Sequence, residues 1–336
     1  MCGIAGVIKF GNEQIREEAI SMLLTGNEHR GNDATGIALA QTDGTVDVFK
    51  RDVPAWQFVC SKEYKKFLVD KLTETTWAAI LHTRAATQGS PRDNNNNHPL
   101  FAGKSAAIHN GIIHNDDQVF RAMKLERKAE TDSDIIRAIA DEHGLTEKCI
   151  TELNRLSGSA AGAIISPEYP EQMILFRSGS PMSLASSDNF FVFSSEKNTI
   201  HRAMRPFVKR FGTWFQSNKP DFDFAPMADN TAWLISAKGV ELHKEFKSLG
   251  AKYVEPFRDP YTNYRKRQTA WDKREMQKTT ADKKDKKHWD EAWCEKCQKP
   301  WVIPKNANPK DFFCGSSKDK GCNSALVARP KKAQVN

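Results

Sequence analysis

The sequence predicts an α+β body with antiparallel sheets and a small cysteine-bearing appendage, and three observations carry that prediction. Short apolar or alternating stretches recur through the first 247 residues: CGIAGVIKF, ATGIALAQ, WAAILHTRA, SAAIHNGII, GAIIS, QMILFRSG, FFVFSSE and TAWLISAKGVEL. Several neighbours are joined by short turns rich in Gly, Pro, Asn or Asp, such as SPEYPEQ and SAKGVEL, which suit hairpins better than the long crossovers of parallel strands. Four of the seven cysteines, Cys294, Cys297, Cys314 and Cys322, fall within the last 43 residues.

Taken in order, the first strand begins directly behind Met1, with a cysteine followed by the small residues of GIAG. Helical patterns follow in EEAISMLLTGN and in DSDIIRAIADEHG, the second with Thr131 or Asp132 placed to cap it. From about Leu249 the chain turns polar and charged without an apolar period, which reads as a linker. The expected organisation is a body over 2–247, a basic linker over 248–287 and a compact unit with a basic tail over 288–336.

Composition narrows the function classes. No run approaches the roughly 18 apolar residues of a membrane span, and no basic segment followed by an apolar one opens the chain. A cytosolic protein with no membrane partner is expected. The odd cysteine count without an export signal argues against a disulfide framework. Charge is uneven: residues 248–336 hold 21 Lys and Arg against 11 Asp and Glu, and the body holds 29 against 31. A basic tail on a near-neutral body suits an acidic partner, nucleic acid included.

Four stretches interrupt the strand pattern with polar residues: HRGNDATG at 29–36, HTRAATQGSPRDNNNNHP at 82–99, HNGIIHND at 109–116 and ETDSD at 130–134. Singly, each has a structural explanation as an ion pair, a polar loop, a turn or a helix cap. In this order, behind an N-terminal CGI-G, they resemble the glutaminase domain of class II glutamine amidotransferases. The resemblance runs over roughly residues 2–245 and includes RSGSP at 177–181. It implies a four-layer αββα sandwich of the N-terminal-nucleophile hydrolases.

What the resemblance implies for individual residues makes chemical sense. Removal of Met1 would expose Cys2 with a thiol nucleophile and an α-amine of pKa about 8 that can take its proton. Asn110 and Gly111 would supply the oxyanion donors, Arg84 the partner of the substrate α-carboxylate and Asp132 that of its α-ammonium. Thr87 and His98 would line the glutamine site, and Arg30 and Asp33 would support the loop near the nucleophile. The chain departs from the pattern at Ala34, Ala85 and Gln88, where Ser, Trp and His are usual in the sugar-phosphate enzymes of the family.

The end of the chain resembles a zinc ribbon: Cys294-x2-Cys297 and Cys314-x7-Cys322 would give four thiolates to a structural zinc ion, with His288 as a substitute ligand. No SGG-x-D nucleotide loop or acidic phosphoribosylpyrophosphate loop follows residue 247, so either a separate ammonia-accepting synthetase or a glutaminase with no acceptor is expected, the first being the more economical. Trp289, Trp293, Trp301, Phe312 and Phe313 beside Lys and Arg could stack on nucleic acid or pack the ribbon itself. The alternative function is a non-catalytic nucleic-acid- or protein-binding module on the same fold.

Overall fold

A computed structural model describes residues 1–204, 223–236 and 238–246, together with three strands further on at 289–294, 299–304 and 327–328. The chain divides into two units, Met1–Tyr253 and Val254–Asn336. The body was expected to end at 247; residues 247–253 lie outside the described residues.

The first unit opens with β1 (Gly3–Lys9), α1 (Glu17–Asn27), β2 (Ala34–Gln41), β3 (Val46–Arg51), α2 (Ala55–Cys60), α3 (Lys62–Lys71) and β4 (Thr76–Arg84). It continues through β5 (Leu100–Phe101), β6 (Ala106–Ile113), α4 (Asp116–Met123), α5 (Asp134–His143), α6 (Glu147–Leu153), β7 (Gly158–Ser166) and β8 (Tyr169–Ser178). The described remainder is β9 (Ser183–Ser186), β10 (Phe190–Ser194), α7 (Lys197–Met204), β11 (Asp223–Pro226), β12 (Thr231–Ser236) and β13 (Gly239–Glu245).

Two antiparallel sheets result. The first has the order β11-β9-β10-β1-β4-β2-β3 and the second β13-β12-β8-β7-β6-β5. Alternation of side chains across each strand sends one set between the sheets and the other towards helices. Ile4, Ile8, Ala78, Ile80, Ala106 and Ile108 meet in the layer between the sheets. Ala5, Val7, Ala79 and Leu81 face the other way and pack with Ile20, Leu23 and Leu24 of α1 and Ile200 of α7. Ala107 and Ile164 pack against Ile135, Ile136 and Ile139 of α5. Helix, sheet, sheet, helix is therefore the layer order, the expected αββα sandwich.

Local chemistry explains the boundaries. Two acidic residues, Glu17 and Glu18, open α1 where the helix dipole favours them. The helix α5 ends at Gly144 in a positive-φ conformation, φ 65°. Its cap corrects the expectation: the N-cap position is Ser133, with no side-chain cap bond, and Asp132 is released for another task. Pro167 and Glu168 join β7 to β8, as the turn chemistry of SPEYPEQ predicts.

In the second unit, β14 (Trp289–Cys294), β15 (Lys299–Pro304) and β16 (Val327–Ala328) form an antiparallel sheet in the order β15-β14-β16. Cys294 pairs with Lys299 at the hairpin end of β14. The linker 248–287 and Cys297, Cys314, Cys322 and His288 lie outside the described residues. Among the described residues no group of His, Cys, Asp and Glu is arranged to hold a metal ion, and no helix is long and apolar enough to cross a membrane.

Candidate active site

The pleat that builds the inner layer also builds the site. Cys2 continues the inner face of β1 beyond Ile4, His82 and Arg84 continue that of β4 beyond Ile80, and Asn110 continues that of β6 beyond Ile108. Pairing of Gly3 with Thr83 brings the start of β1 to the end of β4. Gly3 has to be glycine, because a Cβ there would lie 2.5 Å from Thr83 Oγ1 and 2.7 Å from Asn27 Cβ. Polar residues thus replace aliphatic ones at one end of the layer, and the two sheets are bridged there by His82 Nε2 and the carbonyl of His109, 3.0 Å apart.

The Cys2 thiol sits in a backbone niche. The Ala85 N–H donates to Sγ at 3.4 Å, and Sγ lies 3.6 Å from the Ala85 carbonyl. Burial raises the thiol pKa, opposed by the Ala85 N–H, the N-terminal charge and Arg84 and reinforced by Asp132. A buried, protonated thiol needs a base, and its own α-amine becomes one when Met1 is removed. Met1 is 79% exposed, open to such removal.

The start of the chain is clamped. Arg30 Nε donates to the Cys2 carbonyl at 2.9 Å while its Nη1 pairs with Glu196 at 2.7 Å. Ile4 N–H donates to Ser195 Oγ at 3.1 Å, and Ser195 N–H returns a bond to the Ile4 carbonyl at 2.8 Å. Asp33 accepts the Ala86 N–H at 2.8 Å, and its own N–H donates to the Arg84 carbonyl at 2.9 Å. Arg30 and Asp33 hold the backbone on both sides of the thiol, the supporting role the motif implies.

Two charges stand out. The Arg84 side chain is buried, and its described partners are neutral oxygens: Asn97 Oδ1 at 2.8 Å, and the carbonyls of Gln88 at 2.5 Å and Gly89 at 2.8 Å. Burial lowers its pKa. Asp132 is buried too, accepting the Ile113 N–H at 2.7 Å and the Ser133 hydroxyl at 3.3 Å. Among the described residues neither forms an ion pair, whereas buried Arg137 pairs with both Asp134 and Asp141. An uncompensated buried charge is costly, so Arg84 and Asp132 together suit a zwitterion that brings both partners.

A third polar residue of the inner face, on β6, also lacks a described partner. Asn110 is buried and its Nδ2 has no described hydrogen-bond partner. Gly111 follows with φ 148°, and a Cβ there would come within 1.9 Å of the Ser159 carbonyl.

Thr87 is exposed in the loop after β4, between Ala86 and Gln88, which contact Asp33 and Arg84. His98 is buried and stacks on His82, ring centroids 4.2 Å apart, so its visible part is in packing the loop. The motifs did not point to Asn97, Ser133 or Glu196, which hold Arg84, Asp132 and Arg30. A run of four asparagines hides which of them face inward; the 3-10 turn over Asn94–Asn96 leaves Asn94 and Asn95 exposed and buries Asn96 and Asn97.

Residues 82–202 match the family model of the glutamine amidotransferase domain. A glutamine–fructose-6-phosphate aminotransferase (isomerizing) of Clostridium acetobutylicum is 33% identical over 264 residues, 74% of this chain and 39% of the relative. Its counterpart from Acinetobacter baylyi is 27% identical over 280 residues, 79% of this chain and 41% of the relative. The chain therefore spans about two fifths of the curated relatives it matches. The fold is shared with glutamine phosphoribosylpyrophosphate amidotransferase of B. subtilis, TM-score 0.54 at 18% identity over 73% of this chain and 49% of that one. It is shared equally with an allosteric regulatory enzyme of purine biosynthesis, TM-score 0.56 at 17% identity over the same 73% and 49%. By motif, layer order and the placement of Cys2, Arg84, Asn110 and Asp132, the chain carries a class II glutamine amidotransferase domain on the N-terminal-nucleophile hydrolase fold.

Proposed function

We propose that the protein hydrolyses glutamine through Cys2 and passes the ammonia to an acceptor held by a separate partner enzyme. The observation that carries this reading is that Arg84 and Asp132, both buried and without ion partners among the described residues, both act on the Cys2 thiol. Arg84 would take the α-carboxylate and Asp132 the α-ammonium, leaving the carboxamide to Cys2. The thiolate attacks the amide carbon while the α-amine of Cys2 takes the thiol proton. Asn110 Nδ2 and the Gly111 N–H receive the oxyanion. The amine returns its proton to the departing nitrogen, ammonia leaves, and water then hydrolyses the thioester to glutamate.

The deciding experiment is a glutamine-to-glutamate assay on protein whose Met1 removal has been verified by mass, beside Cys2→Ala. Release of ammonia by the parent and none by the variant is expected; equal release from both sinks the proposal. Free ammonia is protonated in neutral water and loses its nucleophilicity, which favours an acceptor docked over the site. A candidate synthetase should accordingly raise the glutaminase rate.

For the second unit we propose a structural zinc ion held by Cys294, Cys297, Cys314 and Cys322. Support comes from spacing and from the hairpin: β14 ends on Cys294 and β15 starts at Lys299, so Cys294-x2-Cys297 spans the connection. The ion would supply folding energy to a unit too small for apolar burial alone. Contact of the basic tail with nucleic acid is a further reading from composition, and it requires binding that weakens steeply with salt.

A further inference from the structure

Arg84 depends on Asn97, and Asn97 is held in turn by a side chain from the far edge of the first sheet. Lys50 of β3 donates from Nζ to the Asn97 carbonyl at 2.7 Å and to the Pro99 carbonyl at 3.1 Å. The carbonyl between them, that of His98, lies over Gly36, where a Cβ would come within 2.0 Å of it. Gly36 is the residue paired with Lys50 across β2 and β3. Three successive carbonyls therefore dock on one cross-strand pair: the glycine makes room for the middle one and the ammonium takes the outer two. Asn94 Nδ2 adds a bond to the Lys50 carbonyl at 2.8 Å. On its other side Asn97 gives Nδ2 to the Pro91 carbonyl at 2.7 Å and accepts Arg84 Nη1 at 2.8 Å.

We propose that Lys50 is a positioning residue for glutamine binding, fixing Arg84 through Asn97. The reading of Arg84 as the carboxylate partner underlies this role. Lys50 is half-buried, and two carbonyls are strong acceptors only for a charged donor. Burial lowers its pKa to about 8; Asp93 of the loop opposes the shift and Arg84 of β4 adds to it. The remaining titratable neighbour in the loop, His98, is kept neutral by burial, with Lys50 among the charges that reinforce this. As pH rises through about 8 the ammonium is lost, the two bonds weaken, and the clamp on Arg84 loosens. The consequence is an affinity effect: the parental KM for glutamine rises above that pH relative to a variant that keeps its charge, whereas kcat, which follows the Cys2 α-amine, changes with pH alike in both.

The test is steady-state glutamine hydrolysis by the full chain with Met1 removed, from pH 7 to 8.5, where the α-ammonium of glutamine stays mostly charged, for the parent, Lys50→Met and Lys50→Arg, with hydrogen exchange of the peptides covering 85–99 recorded without glutamine. Lys50→Met is expected to raise KM about tenfold with kcat within about twofold, and to speed exchange in 85–99 but not in β1 or β6. Lys50→Arg, charged throughout, should keep a low KM across the range where the parental KM climbs. An unchanged KM and unchanged exchange in Lys50→Met overturn the proposal. Should Lys50→Met unfold, the arginine variant decides: a KM that climbs with pH as the parent's does overturns it. Should the parent not hydrolyse glutamine at all, the glutaminase reading falls, and the exchange data still settle whether Lys50 holds the loop.

Discussion

At the scale of single residues the site is a set of groups left deliberately incomplete. The Asn110 Nδ2 is buried without a partner among the described residues, although an unmade buried hydrogen bond commonly costs about 1–3 kcal/mol. Under the proposed mechanism an arriving oxyanion would recover that cost at the step where catalysis needs it. Asn110→Ala is expected to lower kcat by about 100-fold or more with KM little changed, measured as glutamate release. Retention of Met1 should be as damaging as loss of the thiol, because burial keeps Cys2 protonated and the peptide nitrogen of a retained Met1–Cys2 bond is no base. Protein prepared with and without Met1 excision, compared for alkylation of Cys2 at neutral pH, checks this: the processed form should react faster.

Secondary elements explain why so much of the domain could be read before any fold was known. Strands β1, β2, β4 and β6 announce themselves because their two faces are both buried or carry the chemistry, so apolar runs end in motif residues. Two elements of the first sheet's far side give no such signal: β3 has half-exposed residues throughout and α3 carries six charged residues in ten. Lys50 belongs to that silent strand, which is why its contacts with the loop are invisible in one dimension. Asp132 shows the opposite limit. Its place before a helix is a capping signal, and only the β6 backbone, through the Ile113 N–H, shows that the carboxylate turns towards the site instead. Gly6 of β1 illustrates how tightly the inner layer closes around these elements. A Cβ there would lie 2.3 Å from Phe193 Cζ and 2.7 Å from the Ala79 carbonyl. Gly6→Ala should cost about 1–3 kcal/mol, seen as a lower urea midpoint with unchanged slope.

For the molecule as a whole, acid is the natural denaturant of the sandwich. Burial lowers His82 to about 3, and lowers His98 and His109 as well, so all three imidazoles fold in the neutral form. The unfolded chain binds protons at these rings near pKa 6.5 and the folded one does not. Their contribution is therefore full above about pH 6.5 and is lost as pH falls towards 3, so urea midpoints should fall steadily over that range. The second unit should answer to a different variable: one zinc per chain by metal analysis, lost on Cys294→Ser with Cys297→Ser, while the body keeps its melting temperature. If Arg84 and Asp132 take the roles proposed for them, they also decide what the thiol would not reach: a glutamine within a polypeptide has both its amino and carboxyl groups in peptide bonds and can neutralise neither charge, so the side-chain amides of proteins, this one's own glutamines included, would be spared by a cysteine that serves the free amino acid.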